Sequence, residues 1–298
     1  MTSKVTGAVD DTTQDLPAAS DIAFYAEHGW WVSPVIIPEE VLDTAVMGAE
    51  RHYVGERDHP LLITGGYLDW RPEQGNVLRL NDYVSLQNDD IRALVEFTPI
   101  AAIAAQLART PSVRLFHDQL ICKPAGLDPA ESAVGWHTDI AYWQTCSSRD
   151  MLTAWIPFQD CDAEIGALSF LDRSHRRLDT EWMRTFGEQD RDKLEDSLSE
   201  VGVSLERIRL QLRRGQVSFH HCRTIHGSEP NRSDRDRLAL AVHFQDATNQ
   251  FVPHVDSSGR RTVHVNDLLC RKDATGDPDY ADPDVCPILW PDGKAQRP

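Results

Sequence analysis

The tripeptide His137-Thr138-Asp139 is where chemistry is most readily placed on this sequence. In extended backbone, residues two apart project to the same face, so an imidazole and a carboxylate at this spacing can address one metal ion. Alone the pattern arises often by chance, and it equally describes a His and an Asp bonded to each other or to solvent. A third ligand has to come from far along the chain, on a strand that returns beside the first. The run GQVSFHHCRTIHGSEPNRSDRDRLAL supplies His220, His221 and His226. His226 directly precedes Gly227-Ser228, where alternation gives way to turn residues, which predicts a ring at the open mouth of a barrel. His220 and His221 fall in the strand interior and read as packing residues or as neighbours of the ligands. Two neutral imidazoles and one carboxylate on a single face, with three positions open, suit non-haem Fe(II) and O2 chemistry. Zinc is the competing metal.

Arg237 opens the next alternating run, RLALAVHF, eleven residues after His226. A guanidinium aimed into a barrel core is costly unless an anion meets it. A carboxylate in bidentate pairing would satisfy it. With 47 acidic side chains in the chain, that carboxylate could belong to the protein itself or to a bound cosubstrate. A zinc hydrolase built on the same three ligands gives no reason for this arginine.

Such side chains need a scaffold that brings distant segments to one end of a β structure. From Val113 onward the apolar period is two: VRLFHDQLIC, DMLTAWIPFQDC, GALSFLD, GQVSFHHC and RLALAVHFQDA are separated by Gly, Pro, Asp and Ser clusters. This predicts a mainly β fold with flanking helices, a double-stranded β-helix or jelly roll. The N-terminal third is mixed. Ser20 is placed to cap a short helix carrying Ile22, Phe24 and Tyr25, and Gly29-Trp30-Trp31-Val32 reads as strand. Pro38 with Glu39 and Glu40 starts a helix, and Thr98-Pro99 starts another whose Ile100, Ile103, Ala104 and Leu107 recur at helical spacing. Between Leu178 and Arg214 the pattern turns helical and densely charged, an insertion over one end of the sheet. From Lys272, prolines among many aspartates predict an irregular tail over 272–298 that meanders across the surface. Residues 1–20 are polar and patternless and read as a disordered tail, leaving 21–298 as a single domain.

Composition sets outer limits. The chain has 298 residues, 41% hydrophobic and 26% charged, which is ordinary globular usage. Its formal charge of −17 repels nucleic-acid phosphates and anionic lipid headgroups, so neither is an expected partner. No stretch approaches the roughly 18–20 apolar residues of a membrane span, and the start lacks the apolar run of a signal peptide, which predicts a cytoplasmic protein. Six cysteines spread singly, without C-x-x-C, read as reduced packing thiols.

Taken together, FYAEHGWWVSPVIIPEEV, KPAG, WHTDIAYW, LTAWIPFQDCDAEIGALSFLDRSHR and HGSEPNRSDRDRLAL resemble the phytanoyl-CoA dioxygenase family of Fe(II)- and 2-oxoglutarate-dependent oxygenases, over roughly residues 22–246. The resemblance implies that His137, Asp139 and His226 ligate iron and that Arg237, assisted by Ser228, binds the distal carboxylate of 2-oxoglutarate. It further implies that Gln119, Thr153 and Trp155 line the cosubstrate pocket. Trp143 is expected to flank it or to be core, and His175, in a charged turn, is a poor ligand candidate. Trp182, Met183 and Phe186 of the insertion are candidates for a lid, and the segment holding Tyr67 and Trp70 for a substrate wall. The implied reaction consumes O2 and oxidises a C–H bond of a small molecule. The sequence has no clustered Lys and Arg for a CoA phosphate, which directs the reading to natural-product tailoring. Hydroxylation is the expected outcome and cyclisation on a sugar-containing antibiotic the alternative; a non-catalytic jelly-roll binding module is the rival from another class.

Overall fold

The computed structural model describes residues 17–177, 180–188, 190–200 and 202–291. Most of the expected N-terminal tail, the end of the C-terminal one, and residues 178, 179, 189 and 201 of the expected insertion lie outside them.

In chain order the elements are α1 (Ala19–His28), β1 (Trp30–Val32), α2 (Glu39–Tyr53), β2 (Arg79–Asp82), α3 (Asp89–Val95), α4 (Thr98–Leu107), β3 (Val113–Lys123), α5 (Pro129–Ser132), β4 (Val134–His137), β5 (Leu152–Pro157), β6 (Leu168–Leu171), α6 (Ser174–Arg177), α7 (Arg191–Glu200), β7 (Arg207–Arg209), β8 (Ser218–His221), β9 (His226–Ser228), β10 (Arg237–Asp246), α8 (Asn266–Leu269) and β11 (Ile288–Trp290). One antiparallel sheet runs β1-β8-β5-β10-β3-β11, with β2 also paired to β3; the other runs β4-β9-β6-β7. The two sheets form the jelly roll that the period-two runs predict.

Alternation along the strands of the larger sheet decides what faces what. Leu240, Val242 and Phe244 of β10, with Leu152, Ala154 and Ile156 of β5, pack outward in one cluster with Leu42 and Ala45 of α2 and Ile100 and Ile103 of α4. Each large apolar side chain buried this way contributes about 1.5–3 kcal/mol by leaving water. The intervening residues face the second sheet, and there Trp155 and Ala241 meet Leu168 and Phe170 of β6. The register between β10 and β3 shifts after His243, so that His117 lies opposite His243 and Leu115 opposite Phe244. Phe116 is thereby turned into a separate cluster with Trp143 and Tyr280.

Several local expectations are corrected. Ala18, and not Ser20, occupies the position before the first turn of α1, because the Asp21 carboxylate accepts its N–H at 2.9 Å. Gly29 ends that helix at φ +82°, a left-handed turn where a Cβ would also lie 2.3 Å from His175 Nδ1. His226 does not end the strand that holds His220: β8 stops at His221 and the chain crosses to the other sheet before β9. Among the described residues of 178–214 the helix is α7, while β7 extends the smaller sheet beside β6. The segment after Lys272 is not a surface meander throughout, because Tyr280, Val285 and Cys286 are buried and β11 joins the sheet beside β3. All six cysteines are free and buried. Among the described residues no helix is long and apolar enough to cross a membrane.

Candidate metal centre

β4 ends at His137, Thr138 continues the extended backbone (φ −127°, ψ 145°), and Asp139 opens a short 3-10 turn through Ala141. The same-face spacing therefore holds although Asp139 is outside the strand. His226, the first residue of β9, is the cross-strand partner of His137, and their rings lie 4.1 Å apart. His137 Nδ1 donates to the Gly135 carbonyl at 2.9 Å and His226 Nδ1 to the Thr224 carbonyl at 2.9 Å. A carbonyl only accepts, so in each ring the proton is on Nδ1 and the Nε2 lone pair is left for a metal. One ligand atom from each of His137, Asp139 and His226 lies within 4.8 Å of the others, and all three side chains are buried.

Burial pushes His137 down to about 3, with His226 adding to the shift, and pushes His226 down to about 4, with His220 adding to it. Both rings are neutral at physiological pH, as ligands must be. Burial works to raise Asp139, and the surrounding histidines, His226 foremost, outweigh it and hold the carboxyl well below its usual range. The donor set is thus ready for a divalent cation without losing a proton.

Arg237 stands on the inward face of β10 and is 1% exposed. Its Cζ lies 5.4 Å over the Trp155 ring, while Nε and Nη1 are buried with no hydrogen-bond partner. Among the described residues no carboxylate pairs with it. Burial lowers its affinity for the proton, and a guanidinium stays charged nonetheless. Its cross-strand neighbour Lys123, also fully buried, donates to Ser228 Oγ at 2.6 Å and to the Glu229 carbonyl at 2.5 Å. The Ser228 hydroxyl accepts from Lys123, so its own proton is free for an anion beside Arg237. Triad and Arg237 line one cavity of about 440 Å³.

Residues 71–239, more than half of the chain, match the family model of phytanoyl-CoA dioxygenase (PhyH). The chain belongs to the phytanoyl-CoA dioxygenase family, a family of Fe(II)- and 2-oxoglutarate-dependent oxygenases. The peroxisomal phytanoyl-CoA dioxygenase of Bos taurus is 27% identical over 174 residues, 54% of this chain and 48% of the relative, so the match spans about half of that protein's length. Among solved structures, the α-ketoglutarate-dependent carbocyclase SnoK from nogalamycin biosynthesis superposes with a TM-score of 0.68 at 22% identity, covering 92% of this chain and 97% of SnoK. The epimerase SnoN, solved with Fe3+, α-ketoglutarate and nogalamycin RO, gives 0.64 at 24% identity, covering 91% and 97%. These likenesses establish the shared jelly roll.

The remaining candidate residues of this family member divide between the cavity and its surroundings. Trp155, Gln119, Thr153, Ser228, Trp143 and Phe186 line it. Gln119 Nε2 donates to Asp82 Oδ1 at 2.7 Å, Trp143 stands edge-on to His243, and Phe186 stands edge-on to His137 at 4.9 Å. Trp182, 62% exposed, borders a separate groove on the far side of Trp136, and Met183 is buried against Trp136 and Ile225. Tyr67 packs against the cluster holding Phe116, and Trp70 packs on Tyr53 beneath the Arg79 guanidinium, 4.5 Å away; Leu68, between them, reaches the cavity instead. His221 lies beside Asp150 at 3.6 Å, and His175 packs against His221, both outside the triad.

Sequence reading did not single out Lys123, Asp82, His117, Tyr142, Arg184 or His243. The last is reached by alternation alone: inward residues of β10 are Arg237, Ala239, Ala241 and His243, so counting by twos from Arg237 finds it. Arg184 and Tyr142 come from loops, where no periodicity gives a direction.

Proposed function

We propose that this chain is an Fe(II)- and 2-oxoglutarate-dependent dioxygenase that oxidises an unactivated C–H bond of a small natural product, hydroxylation being the outcome. The observation that carries the reading is one cavity lined both by a His-Asp-His donor set, with Nδ1 of each imidazole bonded to a backbone carbonyl, and by a buried guanidinium that pairs with no carboxylate among the described residues. A zinc hydrolase has no use for the second.

In this reading His137 and His226, each through Nε2, and the Asp139 carboxylate would hold Fe(II). Arg237, through its unpartnered Nε and Nη1, would bind the distal carboxylate of 2-oxoglutarate, with the Ser228 hydroxyl as a further donor and the Trp155 ring beside them. Ala241, lying across from Trp155 on the neighbouring strand, leaves the space between Arg237 and the triad open. Bound together, iron, 2-oxoglutarate and O2 supply the oxidant, and succinate and CO2 are the by-products. Phe186, edge-on to His137, with Tyr142 and Trp143 on the same cavity, would shield a bound metal from water and offer apolar rings to a substrate face.

The test is anaerobic addition of Fe(II) and 2-oxoglutarate. A weak visible charge-transfer band is expected, and His226→Ala should abolish it; retention of the band in the mutant would move the third ligand elsewhere. Screening natural products for stimulated succinate release then finds the substrate class. Ring closure or epimerisation is the second reading, suggested by the carbocyclase and epimerase that share this fold along nearly their whole length. Turnover under ¹⁸O₂ separates them: hydroxylation adds one labelled oxygen, ring closure removes two hydrogens and adds none, and epimerisation leaves the mass unchanged.

A further inference from the structure

Three inward-facing polar residues form a row across the larger sheet. Thr153 on β5 has His220 of β8 as its cross-strand partner on one side and His243 of β10 on the other. All three converge on a single atom. Thr153 Oγ1 lies 2.5 Å from Asp139 Oδ2, His220 Nε2 lies 3.3 Å from it and His243 Nδ1 3.9 Å. The other oxygen, Oδ1, faces His226 Nε2 at 3.5 Å. The two oxygens of one carboxylate are therefore in different surroundings.

Hydrogen-bond bookkeeping fixes the direction of the two contacts that Thr153 makes. An ionised carboxylate only accepts, so the single Thr153 proton goes to Oδ2. Thr153 Oγ1 is also 2.8 Å from His243 Nδ1, and with its proton committed it accepts there, which places a proton on His243 Nδ1. His243 in turn is held edge-on by Trp143 and stacked on His117 at 5.0 Å. The chain of contacts runs from packed rings through a hydroxyl to the outer oxygen of Asp139.

We propose that Thr153, seated by His243, is a positioning residue that occupies Asp139 Oδ2 and so makes Asp139 a one-oxygen metal ligand through Oδ1. A carboxylate free to turn would bring both oxygens to the cation and fill a position that O2 and 2-oxoglutarate need. The inference rests on the reading that the triad binds a divalent metal.

Cobalt(II) alone, titrated into the purified full chain against a chelating dye, tests it without turnover. Wild type should bind one equivalent. Thr153→Val, which keeps the shape and removes the proton, should bind roughly 10–100-fold more weakly, with an altered visible ligand-field spectrum. Thr153→Ser should return affinity and spectrum to within a few-fold of wild type. His243→Phe, which keeps a ring and withdraws the hydrogen bond that seats Thr153, should fall between and carries the same question if Thr153→Val does not fold. Wild-type affinity and spectrum in Thr153→Val, or a Thr153→Ser no better than Val, would overturn the proposal. Failure of the wild type to bind cobalt would instead overturn the metal reading beneath it.

Discussion

Replacing Arg237 separates a residue that serves the fold from one that serves a ligand. Its guanidinium is 1% exposed, two of its nitrogens lack partners, and no acid among the described residues compensates the charge. A buried charge without a partner costs stability in the ligand-free protein, and filling its place with an apolar side chain of similar volume is often neutral or stabilising. Arg237→Met should therefore leave the melting temperature of the ligand-free protein unchanged or raised. The loss should fall on 2-oxoglutarate. Truncating one partner of a buried, hydrogen-bonded charge pair costs about 2–5 kcal/mol, and with a tenfold change per 1.4 kcal/mol the dissociation constant should rise by roughly 30-fold to a few thousandfold. Arg237→Lys should recover part of this, because one ammonium cannot reproduce the fork. The assay is thermal unfolding with Mn(II) as a redox-silent metal across a 2-oxoglutarate series, since a ligand at about 100 times its dissociation constant stabilises by about 2.7 kcal/mol. In Arg237→Met that stabilisation should fall to about 0.9 kcal/mol or less at the same concentration. A Met variant that melts well below wild type without ligand, yet keeps its response to 2-oxoglutarate, would show the arginine to be structural and refute the reasoning.

Two further outcomes test the framework around the site. His52 on α2 is buried with neither ring nitrogen hydrogen-bonded, and burial, with Arg57 adding to it, pushes it down from 6.5 to about 3. The unfolded chain takes up a proton below about 6.5 and the folded one does not, so this residue costs stability increasingly as pH falls from there toward 3. His52→Leu should gain about 2 kcal/mol more stability near pH 5 than near pH 7.5 in urea unfolding, packing changes cancelling in the difference; equal effects at the two pH values would contradict burial as a neutral ring. Gly135 precedes the metal strand's end, and a Cβ there would lie 2.0 Å from the Glu188 carbonyl oxygen and 2.4 Å from that of Thr185. Gly135→Ala should cost about 1–3 kcal/mol and speed protease cleavage within 180–188, because the backbone that carries Phe186 must move; wild-type stability and cleavage would show that the segment is not pinned there.

The H-x-D pair, the later His before Gly-Ser and the arginine opening the next alternating run were all legible in the amino-acid order. So was the jelly roll, because a period of two repeated between turn residues leaves each strand one apolar face to bury. These are properties of short stretches, set by where successive side chains of an extended chain point. What the order of residues did not contain was the registration of one strand against another. That His220, Thr153, His243 and His117 share a row depends on three strand pairings, one of them offset by the bulge after His243. The same holds for Lys123 beside Arg237, and for β7 and β11, whose few residues carry too little alternation to be recognised until a partner strand completes their hydrogen bonds. The aromatic loops fared differently. Tyr67, Trp70 and Trp182 looked like cavity walls because they are large and lie between elements, yet a loop side chain turns toward whichever neighbour covers it, and here the cluster around Phe116, the Tyr53–Arg79 pair and the groove beside Trp136 received them. Local backbone geometry determines a side chain's face; only the packing of distant segments determines what that face meets.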